Sequence, residues 1–263
     1  AHCVAQYGEG YFENGEWAFI PGYHLGKGAY GVYRYMEVFA PESYLDGSED
    51  CLSEGVGCLN DVAVIVLRPN ARKRYPGAQT GWLGVQWDRW GFAMDDTTQV
   101  TQLGYPRGID GGRQMIRNDS AGAVFVDFPD HVAIGSPLNE GSSGGPWVAN
   151  FGTPPQYDED TTPPEFADPN TIIGLTSWGL VGEFLVGSSQ LTADNASVKA
   201  TLQDPPNVPP RPKWKNMQTL TLMTRMMLLP TPACLPPNPV TRNLMLCLPL
   251  NQNRNRNRNR KLK

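Results

Sequence analysis

Gly141-Ser142-Ser143-Gly144-Gly145-Pro146 is the stretch that decides how this 263-residue chain is read. Glycines around a serine let the backbone bend sharply, so that a hydroxyl is presented while two N–H groups converge on one small oxyanion. A Gly/Ser run is also the commonest composition of a flexible connector. Strand-like sequence on both sides weighs against the connector: Ala121 to Phe128 (AGAVFVDF) upstream and Ile172 to Trp178 (IIGLTSW) downstream. Ser143 is therefore the candidate nucleophile, with the N–H groups of Gly141 and Ser143 as the candidate oxyanion hole.

Such a hydroxyl needs a base near neutral pKa, and a carboxylate behind that base to fix its tautomer. The chain has three histidines, His2, His24 and His131. His2 stands in Ala1-His2-Cys3, and Asp61 opens the run Asn60-Asp61-Val62-Ala63-Val64-Ile65-Val66-Leu67. Taken singly, a terminal histidine reads as a frayed end and an aspartate as a turn residue. Their order with Ser143, each inside its own local string, resembles the trypsin- and chymotrypsin-like serine peptidases. Members of that family carry Ala-His-Cys, Asn-Asp-(Val or Ile)-Ala and Gly-x-Ser-Gly-Gly-Pro. A fourth string, Thr176-Ser177-Trp178-Gly179, is similar to the family segment whose backbone pairs with an extended substrate like an added strand. Ser177, Trp178 and Gly179 are thus the candidate substrate-binding residues.

The resemblance covers roughly residues 1 to 190. It implies an all-β, chymotrypsin-like double β-barrel, with His2 and Asp61 from the first barrel and Ser143 from the second. Residues 1 to 100 would be the remainder of the first barrel and 101 to 190 the second. The implied activity is that of a serine endopeptidase working through an acyl-enzyme on a protein or peptide substrate, without a cofactor or metal. The rival expectation is a catalytically silent relative that keeps the cleft as a binding site.

Departures from the family pattern narrow the resemblance. Ser142 stands where vertebrate-type members carry the aspartate that receives a new N-terminal ammonium, so that salt bridge cannot form. Asn139 replaces a cysteine, and Pro137 replaces the acid that selects Lys or Arg. The pattern is closer to the bacterial and fungal glutamyl-endopeptidase-like (V8-like) branch, although Gly-Gly-Pro departs from that branch's usual Gly-Ser-Pro. Pro137, Leu138 and Gly179 to Val181 are expected to shape the first specificity pocket. Family members carry about three strands ahead of the histidine, so the first barrel is expected to be incomplete at its N-terminus and the chain a fragment. The family partner of Cys3 lies upstream of the histidine and is absent from these residues.

Composition agrees with a loop-rich β protein: 40% hydrophobic residues, 28 glycines and 24 prolines. No apolar run approaches the ~18 residues of a membrane-spanning helix, so no membrane partner is expected. The net charge of −4 conceals two opposite halves. Residues 1 to 200 carry 25 acids against 11 bases, and residues 201 to 263 carry one acid, Asp204, against 11 bases. The acidic body argues against nucleic acid as partner of the folded part. Cys51 and Cys58 flank a short polar loop and are expected to form a disulfide stabilising the fold by roughly 2 to 3 kcal/mol. Together with the family resemblance, that ring points to a secreted protein.

Further strand-like stretches are Tyr30 to Phe39, Val62 to Leu67, Trp82 to Trp87 and Thr98 to Leu103. After about residue 190 the sequence turns Pro- and Met-rich, with a short helix expected at Thr219 to Leu229 and the low-complexity run Asn251 to Arg260 (NQNRNRNRNR). Residues 191 to 263 are expected to be a disordered basic tail, or the product of a shifted reading frame. Asn118-Asp119-Ser120 and Asn195-Ala196-Ser197 match the N-glycosylation acceptor.

Overall fold

The computed structural model describes residues 1–12, 17–53, 55–81, 83–85, 98–125, 128–152, 170–180 and 182–191. The first part of the chain holds short hairpins: β1 (Ala5–Gln6) with β2 (Gly10–Tyr11), β4 (Tyr23–His24) with β5 (Lys27–Gly28), and β7 (Cys51–Ser53) with β8 (Val56–Cys58). Between them β3 (Ala18–Phe19), β6 (Tyr33–Phe39) and β9 (Val64–Leu67) make a three-stranded antiparallel sheet with β6 in the middle. A one-turn helix α1 (Glu42–Asp46) ends at Gly47, whose φ of 75° is the left-handed conformation that stops a helix cheaply only with glycine. A core of Val4, Ala5, Trp17, Tyr44 and Cys58 closes this part. The Trp17 and Tyr35 rings meet edge to face there, 5.1 Å apart.

The second part is a closed barrel. β10 (Gly84–Val85) lies parallel to β15 (Thr171–Gly179) on its outside. β15 continues through β14 (Pro146–Ala149), β11 (Thr98–Gly104), β12 (Ile116–Phe125), β13 (Phe128–Gly135) and β16 (Leu185–Gln190), and β16 pairs back onto β15. Six strands therefore close on themselves, which leaves no free sheet edge between them. Inward positions Val100, Val132, Ile134, Trp147, Ile173 and Val186 fill the interior.

The contact between the two parts explains why Ile172 to Trp178 reads as a continuous buried run rather than an alternating one. Residues 171–178 of β15 are all buried, since one face looks into the barrel and the other lies against the first part. Val62 and Val64 pack there on Val148, Ile172 and Leu175. A second contact is made by Ile20, Tyr23 and Tyr105, where the Tyr105 hydroxyl donates to the Tyr23 carbonyl at 3.0 Å.

The expected all-β, chymotrypsin-like fold is what the chain adopts, with one closed barrel among the described residues and with local differences. β6 and β9 start later than the strand-like sequence, at Tyr33 and Val64, and β11 extends one residue further, to Gly104. The strand expected from Ala121 begins at Ile116, because Arg117 and Asp119 project outward while their neighbours are half-covered. Of Trp82 to Trp87 only Gly84 and Val85 form a strand, with Trp82 and 86–97 outside the described residues. Residues 192–263 also lie outside, and with them the expected helix, the low-complexity run and the Asn195 acceptor. Asn118 sits in β12 with its side-chain nitrogen donating to the Gly135 carbonyl at 3.0 Å, so that amide is already engaged. No helix among the described residues is long and apolar enough to cross a membrane.

Candidate active site

The Gly141 to Gly145 turn is clamped from two sides. Behind it, Arg107 N–H donates to the Glu140 carbonyl at 2.7 Å, and the Arg107 guanidinium pairs with the Glu140 carboxylate at 2.9 Å. In front, Gly144 N–H donates to Thr176 C=O at 2.7 Å and Thr176 N–H to Gly145 C=O at 2.9 Å. Gly141 has φ of 91°, where a Cβ would lie 2.8 Å from the Tyr105 carbonyl oxygen, so both conformation and space require glycine. Within the turn, Ser142 N–H bonds to Asn139 C=O and Gly145 N–H to Ser142 C=O. The N–H groups of Gly141 and Ser143 donate to no described residue. A trans peptide sets its C=O and N–H on opposite sides. Holding the Glu140 carbonyl on Arg107 therefore turns the Gly141 N–H away from Arg107.

The two adjacent serines have different surroundings. Ser142 is wholly buried, and its Oγ has no hydrogen-bond partner among the described residues. Ser143 is half-buried at the bend. A buried hydroxyl left unpaired costs on the order of 1 kcal/mol or more. Ser142→Ala should accordingly raise stability by about 1 kcal/mol, read as a higher melting temperature. A fall in melting temperature would mean that the hydroxyl has a partner in solution.

His2 and Asp61 meet in the first part of the fold. Asp61 is buried, and its Oδ2 lies 2.5 Å from His2 Nδ1 and accepts from the Ser177 hydroxyl at 2.6 Å. Its Oδ1 accepts from the main-chain nitrogens of Ala1 and His2, the latter at 2.8 Å. His2 Nδ1 is thereby committed to the carboxylate, and the ring also meets the Cys3 side chain. Among the described residues no hydrogen bond joins Ser143 to His2. The two sides are connected through β15 instead: Thr176 holds the turn at Gly144, and the next residue, Ser177, holds Asp61.

Burial alone would drive the His2 pKa down, yet the Asp61 carboxylate, helped by the Cys3 sulfur, outweighs it and lifts the imidazole above its usual value of 6.5. Burial would raise Asp61, and the opposing charge of His2, with donors from both sides, takes it below 3.8 instead. In stability terms, the raised His2 contributes fully below pH 6.5 and loses its contribution as pH rises through its folded pKa. The depressed Asp61 contributes above pH 3.8 and loses it as pH falls through its own. The pair therefore stabilises the fold most between about pH 4 and 6.5.

Asp61 is held from both sides. Its N–H donates to Cys58 C=O at 3.3 Å, and the same carbonyl accepts from the Ser189 hydroxyl at 2.8 Å, across the two parts of the fold. Glu49 Oε1 accepts the Asn60 N–H. Cys51 and Cys58 face each other in the β7–β8 ladder and form the expected disulfide, Cα–Cα 4.1 Å. Cys51→Ser/Cys58→Ser should cost about 2 kcal/mol of stability, measured by denaturant titration. An unchanged midpoint would show that the ladder alone holds Asp61. Cys3 is a free, half-buried thiol.

The 177–179 segment pairs with β16 on one side, and on the other has no strand partner among the described residues once Thr176 has bonded to the turn. The Trp178 ring is buried and packs over Gly187, where an added Cβ would sit 1.9 Å from Cε2. Its Nε1 donates to His131 Nδ1 at 3.3 Å. At Gly179 an added Cβ would lie 2.5 Å from Asn139 Oδ1, and Asn139 Nδ2 donates to Leu180 C=O at 3.3 Å. Asn139 thus ties the two segments expected to border the specificity pocket. Glu49, Ser189 and the contact of Ser177 with Asp61 were not foreseen from sequence. The buried position of serines in otherwise apolar strands was the only signal available for the last two.

The fold is the chymotrypsin-like fold found in serine proteases. Solved structures that share it include the protease Anisep from Arthrobacter nicotinovorans (TM-score 0.57, 18% identity, 76% of this chain and 79% of that one). The thermostable serine protease AL20 from an extremophilic microorganism matches with TM-score 0.57 and 16% identity, covering 76% of this chain and 81% of its own. A Glu endopeptidase matches with TM-score 0.50 and 15% identity, covering 76% of each chain. No protein-family model and no curated protein matches the sequence.

Proposed function

We propose that the chain is a serine endopeptidase in which Ser143 is the nucleophile, His2 the general base and acid, and Asp61 the group that orients His2. The observation that carries this reading is the turn itself: the N–H groups of Gly141 and Ser143 donate to no described residue and the Ser143 hydroxyl is half-exposed, while every other N–H from Ser142 to Gly145 is occupied. Ser143 attacks the substrate carbonyl, and His2 Nε2 takes the hydroxyl proton. The carbonyl oxygen becomes an oxyanion held by the Gly141 and Ser143 N–H groups, each donor contributing a few kcal/mol. His2 returns the proton to the leaving amine, and water attacks the acyl-enzyme by the same route. The open side of 177–179 pairs with the substrate backbone. The Pro137 and Ser142 departures, together with a Glu endopeptidase among the similar structures, favour the V8-like branch. The Cys51–Cys58 disulfide suits an oxidising compartment, and we place the protein outside the cytosol.

A fluorophosphonate probe should attach to the folded chain, and peptide mapping should locate the adduct on Ser143. A folded chain that takes no label, or takes it elsewhere, rejects the peptidase reading and favours a silent binding relative. His2 must be neutral to act as base, and its pKa is raised, so the acid limb of kcat/KM should lie above pH 6.5. A limb below that value would show that Asp61 does not charge-stabilise the working imidazolium.

A further inference from the structure

We infer that Gly104, on a different strand from any of the proposed catalytic groups, is a positioning residue for Ser143. It acts through the buried side chain of Ser142, and the inference rests on the peptidase reading above. Gly104 is the last residue of β11, paired with Ile116 across the ladder. It is not among the glycines with positive φ, so its backbone is one that any residue adopts. The reason for glycine there is space. A Cβ on Gly104 would lie 2.6 Å from Ser142 Oγ, 2.8 Å from Ser142 Cβ and 3.4 Å from Ser142 Cα. Contacts below 3.0 Å to a flexible tip can be relieved by rotation, but here the Cβ is also within that distance and the hydroxyl is fully enclosed. Relief must come from moving the turn.

The turn has little freedom to move. On either side of Ser142 it rests on the same stretch of backbone: a Cβ on Gly145 would be 2.3 Å from the Leu103 carbonyl oxygen, and one on Gly141 would be 2.8 Å from that of Tyr105. Residues 103–107 and 141–145 are thus packed backbone against backbone, with Ser142 filling the hollow that Gly104 leaves. On its far side the turn is held by Thr176. A displacement at Ser142 passes directly to the next residue, Ser143, and to the two N–H groups that receive the oxyanion. The segment 177–179 that pairs with substrate lies outside this contact, so the effect falls on the chemical step rather than on binding. Misplacement of a reacting group by about 1 Å costs on the order of 100-fold in rate.

The test is a double-mutant cycle on the full chain with Gly104→Ala, Ser142→Gly and both together, reading fluorophosphonate labelling rate, kcat, KM and melting temperature. Gly104→Ala should label and turn over about 100-fold more slowly, with KM within a few-fold of the unaltered chain. In the Ser142→Gly background, where the clashing atoms are gone, the same Gly104→Ala change should cost less than about tenfold. A loss caused by general destabilisation would instead follow the melting temperature and raise the penalty equally in both backgrounds. Gly104→Ala that labels at the unaltered rate, or an equal penalty in both backgrounds, overturns the inference. Absence of labelling in the unaltered chain is a different result, and it falls on the peptidase reading.

Discussion

Ser143→Ala is expected to lower kcat about a millionfold, and to abolish fluorophosphonate labelling, while leaving the melting temperature nearly unchanged. The neighbouring serine provides the internal control. A sequence with two consecutive serines between glycines leaves the identity of the nucleophile to the family pattern alone. Burial separates them: Ser142 Oγ is enclosed and faces Gly104, whereas Ser143 is half-exposed, and its own N–H and that of Gly141 donate to no described residue. A hydroxyl with no solvent-accessible surface cannot reach a substrate carbonyl without unfolding the turn. Ser142→Ala should therefore keep the labelling that Ser143→Ala loses. The substitution at 143 removes a small, half-buried group that no described residue hydrogen-bonds, so no large stability effect accompanies it. Should Ser143→Ala retain more than a hundredth of the native kcat, Ser143 is not the attacking group, and the N–H groups of Gly141 and Ser143 serve another ligand.

The strings around His2, Asp61 and Ser143 were legible through the serine-peptidase pattern they resemble, with the sharp bend at the serine also a local requirement of its glycines. Their neighbours in space were not, because those contacts span long stretches of chain. Ser177 reaches Asp61 across 116 positions and Ser189 reaches Cys58 across 131, and a serine in a strand gives no sign of what it will face. Short strands such as Pro146–Ala149 and the serine-bearing Leu185–Gln190 escaped notice for a related reason. Barrel closure sets their partners, so a polar residue there is buried by distant strands rather than signalled by local alternation. Where the peptidases that this sequence resembles carry an aspartate, the chain has Ser142. That this serine would be packed against the end of β11 depended on the backbone path of Leu103 to Tyr105.

Asp61→Asn is expected to lower kcat about 10⁴-fold with KM little changed. The side chain is an acceptor surrounded by donors: Ala1 and His2 main-chain nitrogens at Oδ1, His2 Nδ1 and the Ser177 hydroxyl at Oδ2. A carboxylate, with two oxygens and no proton, satisfies all four. An asparagine has one acceptor oxygen and one NH2 group, so one pair of donors must face N–H in either orientation. With the NH2 toward His2, Nδ1 has to accept and the ring proton moves to Nε2, which can then no longer take the proton of Ser143. With the NH2 toward the main chain, two backbone N–H groups lose their acceptor in a buried place, and the segment that carries His2 shifts. Either way the base is lost. The charge that does most to raise His2 is lost as well, leaving burial opposed only by the Cys3 sulfur, so its pKa should fall. Imidazole titration by NMR reads that fall independently of turnover. A mutant with kcat within tenfold of native and an unmoved titration would mean that the short Asp61–His2 contact orients nothing, and that the base for Ser143 must be found elsewhere.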